Sequence, residues 1–250
     1  MVRGRYELKF LVGPEAKRRI LASVSEGIEP DTHGQQGVYR VTSLYFDTTD
    51  RLAFHEKLDG VPIRHKLRLR YYGEKPESVF MEVKSRHFQT VHKTRIPVDR
   101  STFRDLLDDP GALRSLPCPG PEHRQGVEFI KLRSSQYRLL PAITIGYRRE
   151  AYVGRYHERL RLTFDHLCQA YAAESYPLFP EQLGCSFCPR EVAVMEVKFD
   201  HHLPGWMRDA VSLARVRPVR MSKYVEGCIA RADDDSVRRV SAVNWERVTP

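Results

Sequence analysis

The sequence has no long apolar run. Nothing in its 250 residues approaches the roughly 20 consecutive apolar residues that a membrane-spanning helix needs. The start, Met-Val-Arg-Gly-Arg-Tyr-Glu, has no apolar core of a secretory signal, so a cytoplasmic protein without a membrane segment is expected. Cysteine is scarce and unpaired: Cys118, Cys168, Cys185, Cys188 and Cys228 are an odd number, scattered in a chain too large to need disulfides. Cys185-Ser-Phe-Cys188 has zinc-ligand spacing, but a second pair is missing and no structural zinc is expected. The ten histidines show no repeated metal spacing, and there is no internal repeat or low-complexity segment. Acid is also in deficit, with 32 Asp and Glu against 41 Lys and Arg, a net charge of +9 and a pI near 9.4. An acidic partner follows: nucleic acid, an anionic membrane or a phosphorylated small molecule. The sign alone does not choose among them.

What is present is alternation. In Pro62 to Tyr72 the pattern predicts a β-strand with Arg64, Lys66, Arg68 and Arg70 on one face and Ile63, His65, Leu67, Leu69 and Tyr71 on the other. Four cations in a row repel one another, and phosphate suits the planar guanidinium fork. The plain alternative is a wet edge strand guarded by charge. The pattern recurs, however. Arg5 to Val12, Val38 to Asp47, Ser78 to Ser85, Val91 to Val98, Ala142 to Arg149, Glu150 to Val153, Glu158 to Asp165 and Arg190 to Asp200 all read as strands. Helices are expected over Pro14 to Glu26, Thr102 to Leu107 with Ser101 as N-cap, Val127 to Leu139, Gly205 to Arg215 and Ser222 to Arg231. Arg51 to Leu58 reads equally as a short helix or a strand. Gly27 to Gly37, Gly111 to Gly126 and Gln169 to Pro189 read as loops, and the stretch from Asp233 as a polar tail.

On at least six of these strands one face mixes Arg, Lys and Glu while the other is apolar. Glu7-x-Lys9, Glu82-x-Lys84 and Glu196-x-Lys198 each set a carboxylate and an ammonium side by side, because residues i and i+2 share a face. An α+β fold uses all of this: a closed antiparallel barrel with a charged lumen, its apolar exterior covered by helices. Such a tunnel suits a chain of phosphates together with Mn²⁺ or Mg²⁺ held by hard carboxylate ligands. Residues 1–232 are expected to form the single tunnel domain and 233–250 the tail.

Arg5-Tyr-Glu-Leu-Lys9, Ser43-Leu-Tyr-Phe-Asp-Thr48, His65-Lys-Leu-Arg-Leu-Arg-Tyr-Tyr-Gly73, Phe80-Met-Glu-Val-Lys84, His92-Lys-Thr-Arg95, Tyr147-Arg-Arg-Glu-Ala-Tyr152, Arg159-Leu-Arg-Leu-Thr-Phe-Asp165, Met195-Glu-Val-Lys198 and Ser222-Lys-Tyr224 carry a family resemblance. In this order they resemble the catalytic domain of the vacuolar transporter chaperone (VTC) polyphosphate polymerases, of the triphosphate tunnel metalloenzyme (CYTH) superfamily, over about residues 3 to 228. The resemblance implies transfer of the γ-phosphoryl group of ATP to a growing polyphosphate chain. By position, Arg68, Arg70, Lys84, Arg149, Arg161 and Lys198 are the expected catalytic tunnel residues. Lys9, Arg64, Lys66, Lys93, Arg95, Ser222 and Lys223 are expected to bind substrate, and Glu196, with Glu7 and Glu82, to hold Mn²⁺ or Mg²⁺. Glu7 and Glu82 read equally as ion-pair partners of the cations. The partners implied are ATP and inorganic polyphosphate, with no nucleic acid.

Two departures bear on this. The hydrolytic branch of the superfamily opens with Glu-x-Glu-x-Lys, whereas Arg5 stands at the first position here, which favours the polymerase branch. The N-terminal regulatory domain and membrane segments of the eukaryotic polymerases have no counterpart in the sequence. The competing readings are a metal-dependent triphosphatase acting on nucleoside triphosphates or tripolyphosphate, and a non-catalytic polyphosphate-binding module whose affinity falls steeply with salt.

Overall fold

The computed structural model describes residues 5–177 and 184–232. Along the chain the elements are β1 (Tyr6–Val12), α1 (Pro14–Val24), β2 (Ile28–Pro30), β3 (Val38–Asp47), α2 (Leu52–Leu58), β4 (Ile63–Tyr72), β5 (Val79–His87), β6 (Thr90–Val98), α3 (Arg100–Asp108), α4 (Arg124–Gln136), β7 (Leu140–Gly154), β8 (Arg161–Tyr171), β9 (Cys185–Ser186), β10 (Ala193–Phe199), α5 (Gly205–Leu213) and α6 (Lys223–Ala230). They fall into two compact units. A terminal unit contains the chain up to Arg40, Gly146–Ala170 and the chain from Gly184; a central unit contains Val41–Ile145 and the stretch from Tyr171.

In the terminal unit the strand order is β1-β10-β8-β7, with β2 beside β7 and β9 beside β8, and every pairing of known register is antiparallel. One face of this ladder is apolar. Phe10, Val12, Leu162, Phe164, Met195 and Val197 are buried there beneath Ile20 and Val24 of α1 and Met207 and Ala210 of α5. Each such side chain contributes about 1.5–3 kcal/mol by leaving water, so this face fixes which way the strands present their charges.

The central unit has the order β3-β4-β5-β6, also antiparallel. Leu44, Leu67, Leu69, Met81, Val83 and Ile96 pack against Leu106 of α3 and Val127 and Ile130 of α4. Gly126 lets α4 approach closely, since a Cβ there would stand 2.4 Å from the Thr94 methyl. The expected antiparallel sheet with helices is therefore present. Among the described residues neither ladder closes on itself.

Several local readings are settled by particular side-chain and backbone contacts. Leu52–Leu58 is a helix, because the Asp47 carboxylate accepts from the N–H groups of Ala53 and Phe54 at 2.9 and 3.2 Å and so supplies its missing N-terminal partners. Asp99, not Ser101, caps α3: its Oδ1 accepts from Thr102 N–H at 2.8 Å, while the Ser101 hydroxyl donates to the same oxygen. β7 is one strand where two were expected, and β8 runs on to Tyr171. The expected loop at Gly27 to Gly37 contains β2, a short strand held on β7. The expected tail from Asp233 lies outside the described residues.

Candidate functional site

The central unit concentrates cations on the face of β4–β6 opposite its core. Cross-strand neighbours there are aligned by charge of one sign: Arg64 lies opposite Arg86, and Lys66 opposite Lys84, which in turn lies opposite Lys93. The next row is Arg68, Glu82 and Arg95. Glu82 is fully buried and is the acid around which this face is arranged. Arg68 donates to Glu82 Oε2 from Nε at 2.9 Å and Nη2 at 2.7 Å, and Arg70 stands 3.5 Å from the same oxygen. On the other oxygen, Oε1, lie Lys93 at 2.5 Å and Arg95 at 2.9 Å. Burial alone would raise the Glu82 carboxyl; Arg68, Arg70 and Lys93 outweigh that and hold it well below the usual range. Lys93 is lowered as well, to about 6, through burial first and then repulsion from Arg70, Arg68 and Arg95 against the pull of Glu82.

Aromatic and hydroxyl groups hold the guanidiniums in place. Arg68 donates to Tyr45 OH at 3.0 Å, Arg70 to Ser43 Oγ at 2.8 Å, and Arg95 to Tyr72 OH while lying 4.7 Å from the Phe80 ring centre.

The terminal unit assembles a second cluster with a different charge pattern. On the face of its ladder away from the core, Glu7 lies opposite Lys198, and Lys9 opposite Glu196. Glu196 Oε1 meets Lys223 at 2.7 Å and Lys9 at 3.3 Å, and Oε2 meets Lys198 at 2.9 Å and Arg149 at 3.5 Å. Lys9 also stands 3.4 Å from Glu7. Beside them, Asp165 takes Arg149 in a two-pronged pair at 2.7 and 2.8 Å and Lys223 at 2.6 Å. Burial opposes the charge of Asp165 and Glu196, but their basic neighbours prevail: Arg149 and Lys223 hold Asp165 down, and Lys198, Lys223 and Lys9 hold Glu196 down. Reciprocally, Arg149 and Lys223 are kept charged despite burial, chiefly by Asp165. Lys223 reaches this position because Ser222 caps α6 through its side chain and starts the helix there.

Comparison with known proteins bears on the family. A model of the VTC domain matches residues 4–231. The chain belongs to the VTC-domain family. No curated protein sequence matches it. Among solved structures it is similar in fold to a protein from Hippeastrum, named as a candidate adenylyl cyclase with a dominant triphosphatase activity, at 18% identity and a TM-score of 0.50, covering 89% of this chain and 94% of that one. A Bacillus halodurans protein named as a candidate adenylate cyclase gives 16% identity and a TM-score of 0.51, over 88% and 94% of the two chains.

The expected site residues thus fall into two groups. Arg68, Arg70, Lys84, Lys66, Lys93, Arg95 and Glu82 are in the central unit; Lys9, Arg149, Lys198, Lys223, Glu7 and Glu196 are in the terminal unit. Arg64 lies on the central face but turns its guanidinium to the Val61 carbonyl. Arg161 is on the terminal face, where it binds Asp31 and, at 2.8 Å, Tyr39 OH. Asp165, Asp31, Tyr45 and Ser43 were missed as site residues. For Asp165 a signal existed, since it shares a strand face with Arg161 and Thr163.

Among the described residues no group of three or more His, Cys, Asp or Glu is arranged to hold a metal ion. A divalent cation that takes one or two carboxylates and completes its shell with phosphate oxygens and water asks for less. Glu196 and Glu7 fit that form, flanking the Lys9 ammonium. Among the described residues the buried Thr163 hydroxyl, in register with Glu196, and the buried Arg161 Nε have no hydrogen-bond partner, which leaves polar capacity on this face for a ligand.

Proposed function

We propose that this VTC domain is a polyphosphate polymerase that transfers the γ-phosphate of ATP to the end of an inorganic polyphosphate chain with Mn²⁺ or Mg²⁺. The observation that carries this reading is the row Lys66, Lys84, Lys93, with Arg68, Arg70 and Arg95 beside it. Like charges directly opposite on a sheet destabilise it, by a few tenths to about 1 kcal/mol per pair. Glu82 is an acid partner of this face and is shared by Arg68, Arg70, Lys93 and Arg95. A polyphosphate, with a negative charge on every phosphate, matches a face with so many basic side chains. Closure of the sheet into a tunnel, and a single tunnel domain, are part of this proposal.

The chemistry needs no protein nucleophile. A terminal oxygen of the chain attacks the γ-phosphorus of ATP, the new P–O bond forms, and the bond to the β,γ-bridging oxygen breaks with its electrons leaving on ADP. Arg68, Arg70, Lys84 and Lys93 bind and align the phosphates; Glu82 holds those cations in place rather than binding metal. Arg149, Lys198 and Lys223 neutralise charge on the transferring group, Arg149 and Lys223 being oriented by Asp165. Lys9, Arg64, Lys66, Arg95, Arg161 and Ser222 complete the substrate contacts. Glu196 and Glu7 would hold the divalent cation, which when bound neutralises phosphate oxygens.

The Hippeastrum protein's triphosphatase activity supports a second reading, hydrolysis of triphosphates. Incubation with ATP and Mn²⁺ followed by ³¹P NMR separates the two. Internal polyphosphate resonances growing alongside ADP, and lost in Arg70→Ala and Glu196→Ala, are the expected result. Orthophosphate as the only product would replace the polymerase reading with the triphosphatase.

A further inference from the structure

The segment after α5 lies along the side of β1 away from β10. Pro218 forms an antiparallel bridge with Phe10, and the Val219 N–H donates to the Lys9 carbonyl at 2.8 Å. That register sets Val219 opposite Lys9 and Arg217 opposite Leu11. Side chains alternate between faces, so Pro218 shares the apolar face with Phe10, and Val216 packs into that core as the pattern requires. Arg217 consequently shares the other face with Glu7, Lys9 and, across β10, Glu196 and Lys198. It is exposed, and among the described residues its side chain has no ion pair or hydrogen bond. A cation on the same face as Lys9, diagonal to it and among the described residues without an acid of its own, is placed to meet an anion that extends beyond Lys9.

On the polyphosphate reading above, we propose that Arg217 extends the phosphate-binding face of the terminal unit past Lys9 and makes it discriminate long polyphosphate chains from triphosphates. A triphosphate held among Lys9, Lys198 and Lys223 stops short of Arg217, whereas a longer chain reaches it and gains one further contact. Arg217 is therefore a specificity residue for chain length.

The test is calorimetric titration of the wild type, Arg217→Glu, Arg217→Lys and Arg208→Glu with tripolyphosphate and with long-chain polyphosphate at one ionic strength. Arg217→Glu is expected to weaken the long chain by about fivefold or more while changing tripolyphosphate by less than about twofold, as loss of one phosphate contact predicts. Arg217→Lys should restore most of the difference. Arg208→Glu, which makes the same charge change on a different surface, should alter neither ligand. Equal weakening of both ligands by Arg217→Glu, or an unchanged long-chain affinity, overturns the inference while leaving the polyphosphate reading standing. A wild type that binds neither ligand overturns both.

Discussion

The two units carry the same sequence motif and use it in opposite ways. Glu-x-Lys occurs as Glu7-x-Lys9 and Glu196-x-Lys198 in the terminal unit and as Glu82-x-Lys84 in the central one. In the terminal unit the strands are in register so that each acid faces a base, Glu7 with Lys198 and Lys9 with Glu196. Lys9, Lys198, Lys223 and Arg149 are answered there by Glu7, Glu196 and Asp165. In the central unit Glu82 also faces bases, Arg68 and Arg95, but Lys84 lies between Lys66 and Lys93, and Arg68, Arg70, Lys93 and Arg95 converge on Glu82. In the first cluster four basic side chains meet three carboxylates; in the second four basic side chains share one. Charge composition along a strand therefore says little until its cross-strand neighbours are known.

The strongest way to break this contrast is Glu82→Gln. Removing the shared acid from a buried pair network is expected to destabilise the protein by about 3–5 kcal/mol. Thermal unfolding would show it as a large fall in Tm. Because Arg68, Arg70, Lys93 and Arg95 then lose the carboxylate they share, tripolyphosphate should restore more stability to this variant than it adds to the wild type. No such recovery would mean that the central cations do not receive phosphate.

Asp165→Asn is the matching change in the terminal unit. It leaves Arg149 and Lys223 with Glu196 as their remaining carboxylate, and a loss of about 2–3 kcal/mol is expected. Tripolyphosphate should add no more stability to this variant than to the wild type, since here the lost acid fixed side-chain positions rather than balancing a surplus. Equal recovery of both variants would erase the distinction between the clusters.

The smallest expected effect is on pH. His65, on the core side of β4, lies 4.8 Å from Phe129 and is pushed down to about 4, by burial first and then by Arg133 and His87. Between its ordinary value near 6.5 and about 4 the unfolded chain binds the proton and the folded one does not, so stability falls as pH drops through that window. After allowance for its partial exposure, about 1 kcal/mol should be lost between pH 7 and pH 5 and regained in part by His65→Gln. Glu150 in the terminal unit, drawn down to about 2 by His166 and Lys17 against the opposing effect of burial, acts only below its ordinary value near 4.5. A wild-type melting curve flat from pH 7 to pH 5 would remove the effect assigned to His65.

The sequence by itself determined the strands, their two faces and the basic character of one of them. Strand alternation has a period of two residues and is written locally, so Ile63 to Tyr72 is read correctly without any knowledge of what surrounds it. The same holds for the helices whose apolar positions recur at helical spacing, such as α1. Only the tertiary structure decided which charges meet. Arg161 finds Asp31 across 130 positions and Lys223 finds Glu196 across 27, pairings fixed by strand register and by where a capped helix begins. It also decided α2, through Asp47, and β2, through its pairing to β7. The physical reason is common to all of these. A side chain's face is set by its own backbone, whereas its partner is set by apolar packing on the opposite side of the sheet, which holds distant strands in one register.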